Sequence, residues 1–100
     1  MRESRYRESR LCRALGNPIV YRIVVLLAEH GPLTPSAIAG EVGRRIGTVS
    51  THLAKLRSLD LVRYETAGRQ TRYWLKHPLA TRIVLRSLRR FVATAAPIRD

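Results

Sequence analysis

The chain of 100 residues has one cysteine, one tryptophan, one phenylalanine and only seven acidic residues. A single thiol, Cys12, excludes a disulfide within the chain and agrees with a reducing compartment. Long apolar runs are missing too. The longest, residues 23–28, falls far short of the ~20 residues that a bilayer-spanning helix needs. The first ten residues are mostly Arg, Glu and Ser, with no apolar core of a secretory leader. The expectation is a soluble cytoplasmic protein with no membrane partner. There is no Gly-rich phosphate loop, no nucleophile–base pair at a recognisable spacing and no pair of carboxylates. The chain therefore reads as a non-enzyme without a cofactor.

Basic side chains are plentiful. Nineteen Lys and Arg give a net charge of +12, and all but Lys55 and Lys76 are arginines. Arginine presents a planar fork of donors that fits phosphate oxygens and guanine edges, so the excess points to double-stranded DNA. An apolar share of 45% is that of a globular fold. The length suits one domain, 1–100, whose own core is modest because a small domain buries only about two-thirds of its unfolded surface. A second copy would add to that core.

Local signals give the order of elements. Residues 2–15 read as a helix whose last turn is apolar through Leu11, Ala14 and Leu15, and Gly16 stops it. Asn17-Pro18 starts a second helix, with Asn as cap and Pro at the first helical position. Its buried stripe is expected at Ile19, Ile23, Leu26 and Leu27, and His30-Gly31 closes it. Thr34-Pro35 repeats the start signal for a short helix through Val42, and Gly43 turns the chain. The next helix places Val49, Leu53 and Leu56 on one side; Gly47, Thr48, Thr51 and Lys55 lie opposite, with Ser50 and His52 on the flanks. After Asp60 the pattern alternates. Residues 61–65 and 71–75 read as strands joined by Ala67-Gly68-Arg69. Pro78 opens a last helix to about Ala96, with an apolar stripe of Val84, Leu88, Phe91, Val92 and Ala95 and with Arg82, Arg86, Arg89 and Arg90 opposite.

The fold expected is mainly α with a β-hairpin wing, in the order α-α-α-α-β-β-α. Two helices joined by a Gly turn, the second with a small polar face, describe a helix-turn-helix over 34–58. The hairpin over 61–76 is its wing, with Arg69 at the tip and Gln70 and Arg72 following. An arginine there can enter a narrow minor groove while the helix occupies the major groove.

From about Leu11 to Pro78 the sequence resembles the ArsR/SmtB family of winged-helix repressors. The likeness is carried by ALGNPIVYRIVVLL, by GTVSTHLAKLRSLDLV and by GRQTRYWL at the wing. It implies a homodimer through the first and last helices, 1–16 and 78–96. It also implies repression relieved by a ligand or by thiol modification. By position it implies DNA contacts from Thr48, Ser50, Thr51, His52, Lys55 and Arg69. Thr51 stands where the family often has Arg, Gly47 where Ser is common, and Val20 where Arg is frequent. Asp60 replaces a Gly, and Asp tolerates a left-handed backbone better than most residues.

Many relatives sense metals, through Cys-Val-Cys at the third helix or through Asp-x-His and His-x-x-Glu on the last. Here those positions read Thr34-Pro35-Ser36 and begin with His77 and Leu79, followed by Arg90 and Ala93. Zinc needs about four N, S or O ligands, and His30, His52, His77 and Cys12 show no ligand spacing. The expectation is no metal site and an inducer of another, unknown kind. Cys12 reads first as a packing residue. Neighbouring Arg10 and Arg13 also make it the candidate for redox chemistry. Two other functions fit the composition: a sequence-independent architectural DNA coat on the same fold, and a protein-interaction module.

Overall fold

A computed structural model describes residues 2–95. Five helices and one hairpin follow each other as α1 (Glu3–Leu15), α2 (Pro18–His30), α3 (Pro35–Val42), α4 (Ile46–Ser58), β1 (Val62–Ala67), β2 (Gln70–Leu75) and α5 (Pro78–Thr94). This is the α-α-α-α-β-β-α order that the sequence suggests. The expected end of the last helix at Ala96, and the outermost residues of the 1–100 domain, lie outside the described residues. Among the described residues no single helix is long and apolar enough to cross a membrane.

Both Pro-marked helix starts are built as their residues dictate. Asn17 Oδ1 accepts from the backbone N–H groups of Ile19 and Val20 at 2.8 and 3.3 Å. Thr34 Oγ1 accepts from Ala37 N–H at 3.1 Å. Each side chain satisfies donors that the first helical turn leaves free. The core is one cluster in which Ile23, Val24, Ile38, Val49, Leu53 and Leu56 are fully buried.

Helix α2 is the hub, touching α1, α3, β2 and α5. That accounts for one correction. Its buried residues are Val20, Ile23, Val24, Leu27 and Ala28, whereas Ile19 and Leu26 are only half-buried. A helix covered from several sides buries a wider sector than a single stripe, displaced here toward Val20 and Val24.

The hairpin is tighter than the sequence suggested. Ala67 pairs with Gln70, so the loop is two residues, Gly68-Arg69, and the strands extend to 62–67 and 70–75. Gly68 has φ 63° and Arg69 does not have positive φ. That combination belongs to a type II′ turn, whose twist matches the flanking strands. The wing is also tied inward, because Leu33 and Tyr73 exchange two backbone hydrogen bonds of 3.0 and 2.8 Å. The loop between α2 and α3 thus acts as a short third strand.

Helix α5 turns a different side inward than its longest apolar stripe. Thr81 and Leu85 are buried, and Arg82 donates through Nε and Nη2 to the Ala28 carbonyl at 3.3 and 2.9 Å, capping the end of α2. Val84, Leu88, Phe91, Val92 and Ala95 face solvent, with Phe91 75% and Val92 72% exposed. The stripe therefore adds little to the core of its own chain.

Candidate nucleic-acid interface

Helix α4 is held in one rotation by its buried side. Val49, Leu53 and Leu56 are all at 0% exposure, so the opposite face is fixed outward. Ahead of it, Gly43 has φ 65°, a left-handed conformation that ends α3 and turns the chain within three residues. The outward face consists of Gly47, Thr48, Thr51 and Lys55, all exposed, with Ser50 and His52 half-buried beside it. No residue of α4 is acidic. Its cap residue, Arg45, gives no side-chain cap, so the N–H groups of the first turn stay open beside Arg44 and Arg45. Such a terminus favours an anion. Thr51 Oγ1 donates back to the Gly47 carbonyl at 3.0 Å.

The other expected contact, Arg69, is exposed at the tip of the wing. Thr48, Ser50, Thr51, His52 and Lys55 share one helix, and Arg69 belongs to a separate element. Cys12 is exposed on α1, outside this surface. Within one chain it does not pack, so the packing reading depends on a second copy. His30, His52, His77 and Cys12 are not brought together, and among the described residues no group of three or more His, Cys, Asp and Glu could hold a metal. The residues aligned with the family's metal ligands do not fit that role either. Thr34 spends its hydroxyl on the α3 cap, Leu79 is a hydrocarbon, and Arg90 is a cation.

Three residues that couple α4 to the wing were not evident from the sequence. The Arg57 guanidinium sits 4.9 Å over the Tyr64 ring, and Tyr64 lies 5.4 Å from Tyr73 across the hairpin. A signal existed in the alternation of Tyr64 and Tyr73 on the strands, but the arginine above them is set by tertiary placement. Between α4 and β1, Asp60 has φ 64°. Its N–H donates to the Arg57 carbonyl and that of Leu61 to the Leu56 carbonyl, at 3.0 Å each. These are the two bonds of a Schellman motif, with Asp where glycine is commonest.

Lys76 donates to Asp60 Oδ1, and His77 Nε2 lies 3.6 Å from Oδ2. The hydrogen bond from Lys76, assisted by His77, holds the Asp60 carboxyl below its ordinary value of 3.8. A depressed carboxylate adds stability above its unfolded value, and that share fades as pH falls through the lower folded value. The contribution is small, because the pair is open to water. Asp60→Asn should therefore cost little at neutral pH and flatten the acid limb of the stability profile. Asp60→Val should cost clearly more at every pH, since a β-branched residue resists positive φ. Thermal melts of both variants at neutral and acid pH check this; equal midpoints would remove the role given to the left-handed turn.

Residues 17–64, from the cap of α2 into the wing, match the bacterial regulatory protein, arsR family. No curated protein sequence matches the chain significantly. The structure is similar to that of NolR from Sinorhizobium fredii, with TM-score 0.80, 24% identity, and coverage of 93% of this chain and 91% of that one. It is also similar to fragment 1–100 of Mb0332 from Mycobacterium bovis, a homodimeric winged helix-turn-helix DNA-binding domain in solution. There the TM-score is 0.77 at 24% identity, covering 93% and 88%. A crystal structure of an M. bovis fragment 1–100 aligns at 29% identity, with TM-score 0.75 and coverage of 93% and 97%. The transcriptional repressor PagR of Bacillus anthracis aligns with TM-score 0.71 at 24% identity, covering 84% and 95%. The chain thus has a winged helix-turn-helix fold, and its residues 17–64 are similar to the arsR family of bacterial regulatory proteins.

Proposed function

We propose that the chain is a sequence-specific repressor acting as a homodimer on an inverted-repeat operator. Each subunit places α4 in the major groove, using Thr48, Ser50, Thr51, His52 and Lys55, and sets Arg69 into the adjacent minor groove. The observation that carries this reading is the outward face of α4: small, polar, free of acidic residues, and fixed by three fully buried side chains on its back. Segments 1–16 and 78–96 form the dimer contact of the single domain 1–100, 34–58 the helix-turn-helix, and 61–76 the wing. The solvent-facing stripe of α5 supports the pairing, as does the homodimeric state of the M. bovis fragment. The repressor assignment draws on the description of PagR. On this reading the protein works in the cytoplasm. Its inducer is not a metal bound at Thr34, Ser36, Leu79, Arg90 and Ala93, whose chemistry does not suit one. Cys12 enters only as an exposed redox candidate.

A sequence-independent architectural coat is the second reading, favoured by the exposed arginines on both α1 and α5. One experiment separates the two. A fragment selected from genomic DNA competes with bulk DNA in a gel-shift assay, and a repressor prefers its site by ~1,000-fold or more. Arg69→Ala should weaken selected and bulk DNA alike and reduce the salt dependence by about one phosphate contact. Thr51→Ala should instead alter preference among sites. Unchanged affinity in both variants would exclude this docking.

A further inference from the structure

A cavity of about 670 Å³ opens beneath the wing, away from α4. One wall is a single face of the hairpin, made by alternate residues of each strand: Glu65 and Ala67 from β1, and Gln70, Arg72 and Trp74 from β2. Leu27 of α2 and Leu75 add apolar surface, and Arg82 of α5 closes the far side. The volume lies within the ~300–1,000 Å³ typical of small-ligand sites, which are likewise mostly apolar with a few convergent polar groups. No lining residue comes from α1 or from the solvent-facing stripe of α5. Pairing of two copies through those surfaces would leave the cavity open.

Its charge selects the occupant. Arg72 and Arg82 face one acidic residue, Glu65, a balance of two positive to one negative. Arg72 and Glu65 are cross-strand partners in register, yet they form no ion pair; among the described residues the ion pairs are those of Asp60. Among the described residues, the one polar contact of the Arg72 guanidinium is a long 3.4 Å approach to Gln70 Oε1. It therefore has donors free for a planar, two-oxygen acceptor. Half-buried Trp74 supplies an aromatic surface in the same cavity.

We propose that this cavity binds a small aromatic carboxylate, with its ring against Trp74 and its carboxylate on Arg72, and that occupancy changes affinity for DNA. Ala67 and Gln70 form the last pair below Gly68-Arg69, so an occupant presses on the base of the turn that aims Arg69. This second half rests on the DNA reading above; the binding half does not.

Trp74 is the one tryptophan in the chain, so its emission in the DNA-free protein reports binding directly. Biphenyl-4-carboxylate should give a saturable change. Affinity should fall ~10-fold or more for biphenyl-4-carboxamide, and likewise in Arg72→Gln, through loss of the charged hydrogen bonds. Arg86→Gln, which keeps the cavity and removes the same charge from α5, should bind the acid like wild type. No saturable change, equal affinity for acid and amide, or tighter binding of the corresponding biphenylmethylamine would overturn the site. With a selected DNA fragment, saturating acid should shift wild-type DNA affinity and leave that of Arg72→Gln unchanged. A wild-type affinity indifferent to the acid would overturn the regulatory half. A protein that binds no DNA either with or without the acid would instead overturn the DNA reading, and the emission titration still decides the cavity.

Discussion

Leu88→Arg should sediment as a monomer at micromolar concentration and bind a selected operator ~100-fold or more weakly than wild type, the usual loss when two linked contacts become one. Val84, Leu88, Phe91 and Val92 recur at intervals of four, three and one along α5, so they share one side of the helix. All four are exposed in the single chain. A contiguous apolar surface of that kind marks an interaction site on a soluble protein. Leu88 is among the less exposed of the four, at 41%, as expected near the centre of a patch. A guanidinium placed there would be buried without a partner in any pairing through this face. The fold of each subunit should persist, because the residues that anchor α5 are Thr81, Leu85 and Arg82. Far-UV circular dichroism checks that point. A wild-type monomer, or a Leu88→Arg dimer, would remove the pairing and with it the inverted-repeat operator.

Leu53→Ala should lower stability by ~2–5 kcal/mol, the range for deleting a large aliphatic side chain from a close-packed core. Small domains have only about 5–15 kcal/mol in total. The melting midpoint should drop by roughly 8–40 °C, at ~4–8 °C per kcal/mol for a domain of this size. Leu53 has no exposed surface and sits between Val49 and Leu56 on the inner side of α4. It lies two residues from Thr51, which is exposed and whose replacement by Ala should change stability by under ~0.5 kcal/mol. Melts at one fixed protein concentration test the contrast, since pairing makes the midpoint concentration-dependent. Equal losses for Leu53→Ala and Thr51→Ala would mean that α4 is not fixed in the rotation described.

The features legible in the sequence are those set by neighbouring residues. Asn17-Pro18 and Thr34-Pro35 each combine a cap acceptor with a ring that presets the first helical φ, so both helices begin where the sequence marks them. The 49, 53, 56 spacing fixes which side of α4 is buried, whatever it packs against. Asp60 shows its left-handed turn for a local reason as well. Helix α5 was not legible in the same way. Leu85 and Leu88 point within about 60° of each other at 100° per residue, so periodicity alone cannot say which meets the core. That choice is made by the Ala28 carbonyl, which binds Arg82 from 54 residues away. The same holds for Arg57 on Tyr64 and for the Leu33–Tyr73 bridge, whose partners meet only in the folded chain. The three-residue turn expected at 67–69 failed by one position, because Gly68 at positive φ lets Ala67 remain in the strand.

The back-bonded hydroxyl of Thr51 limits what α4 can read. A threonine hydroxyl has one hydrogen to give, and here the Gly47 carbonyl takes it. What remains outward is the two lone pairs of the oxygen and a methyl group. Docked as proposed, that position can accept from the amino group of adenine or cytosine, or lie against a thymine methyl, but has no hydrogen for the O6 and N7 acceptors of guanine. An arginine, frequent at this position in the family, would choose guanine instead. The half-site bound here should therefore be poor in guanine opposite Thr51, and Thr51→Arg should shift selected fragments toward guanine at that one step.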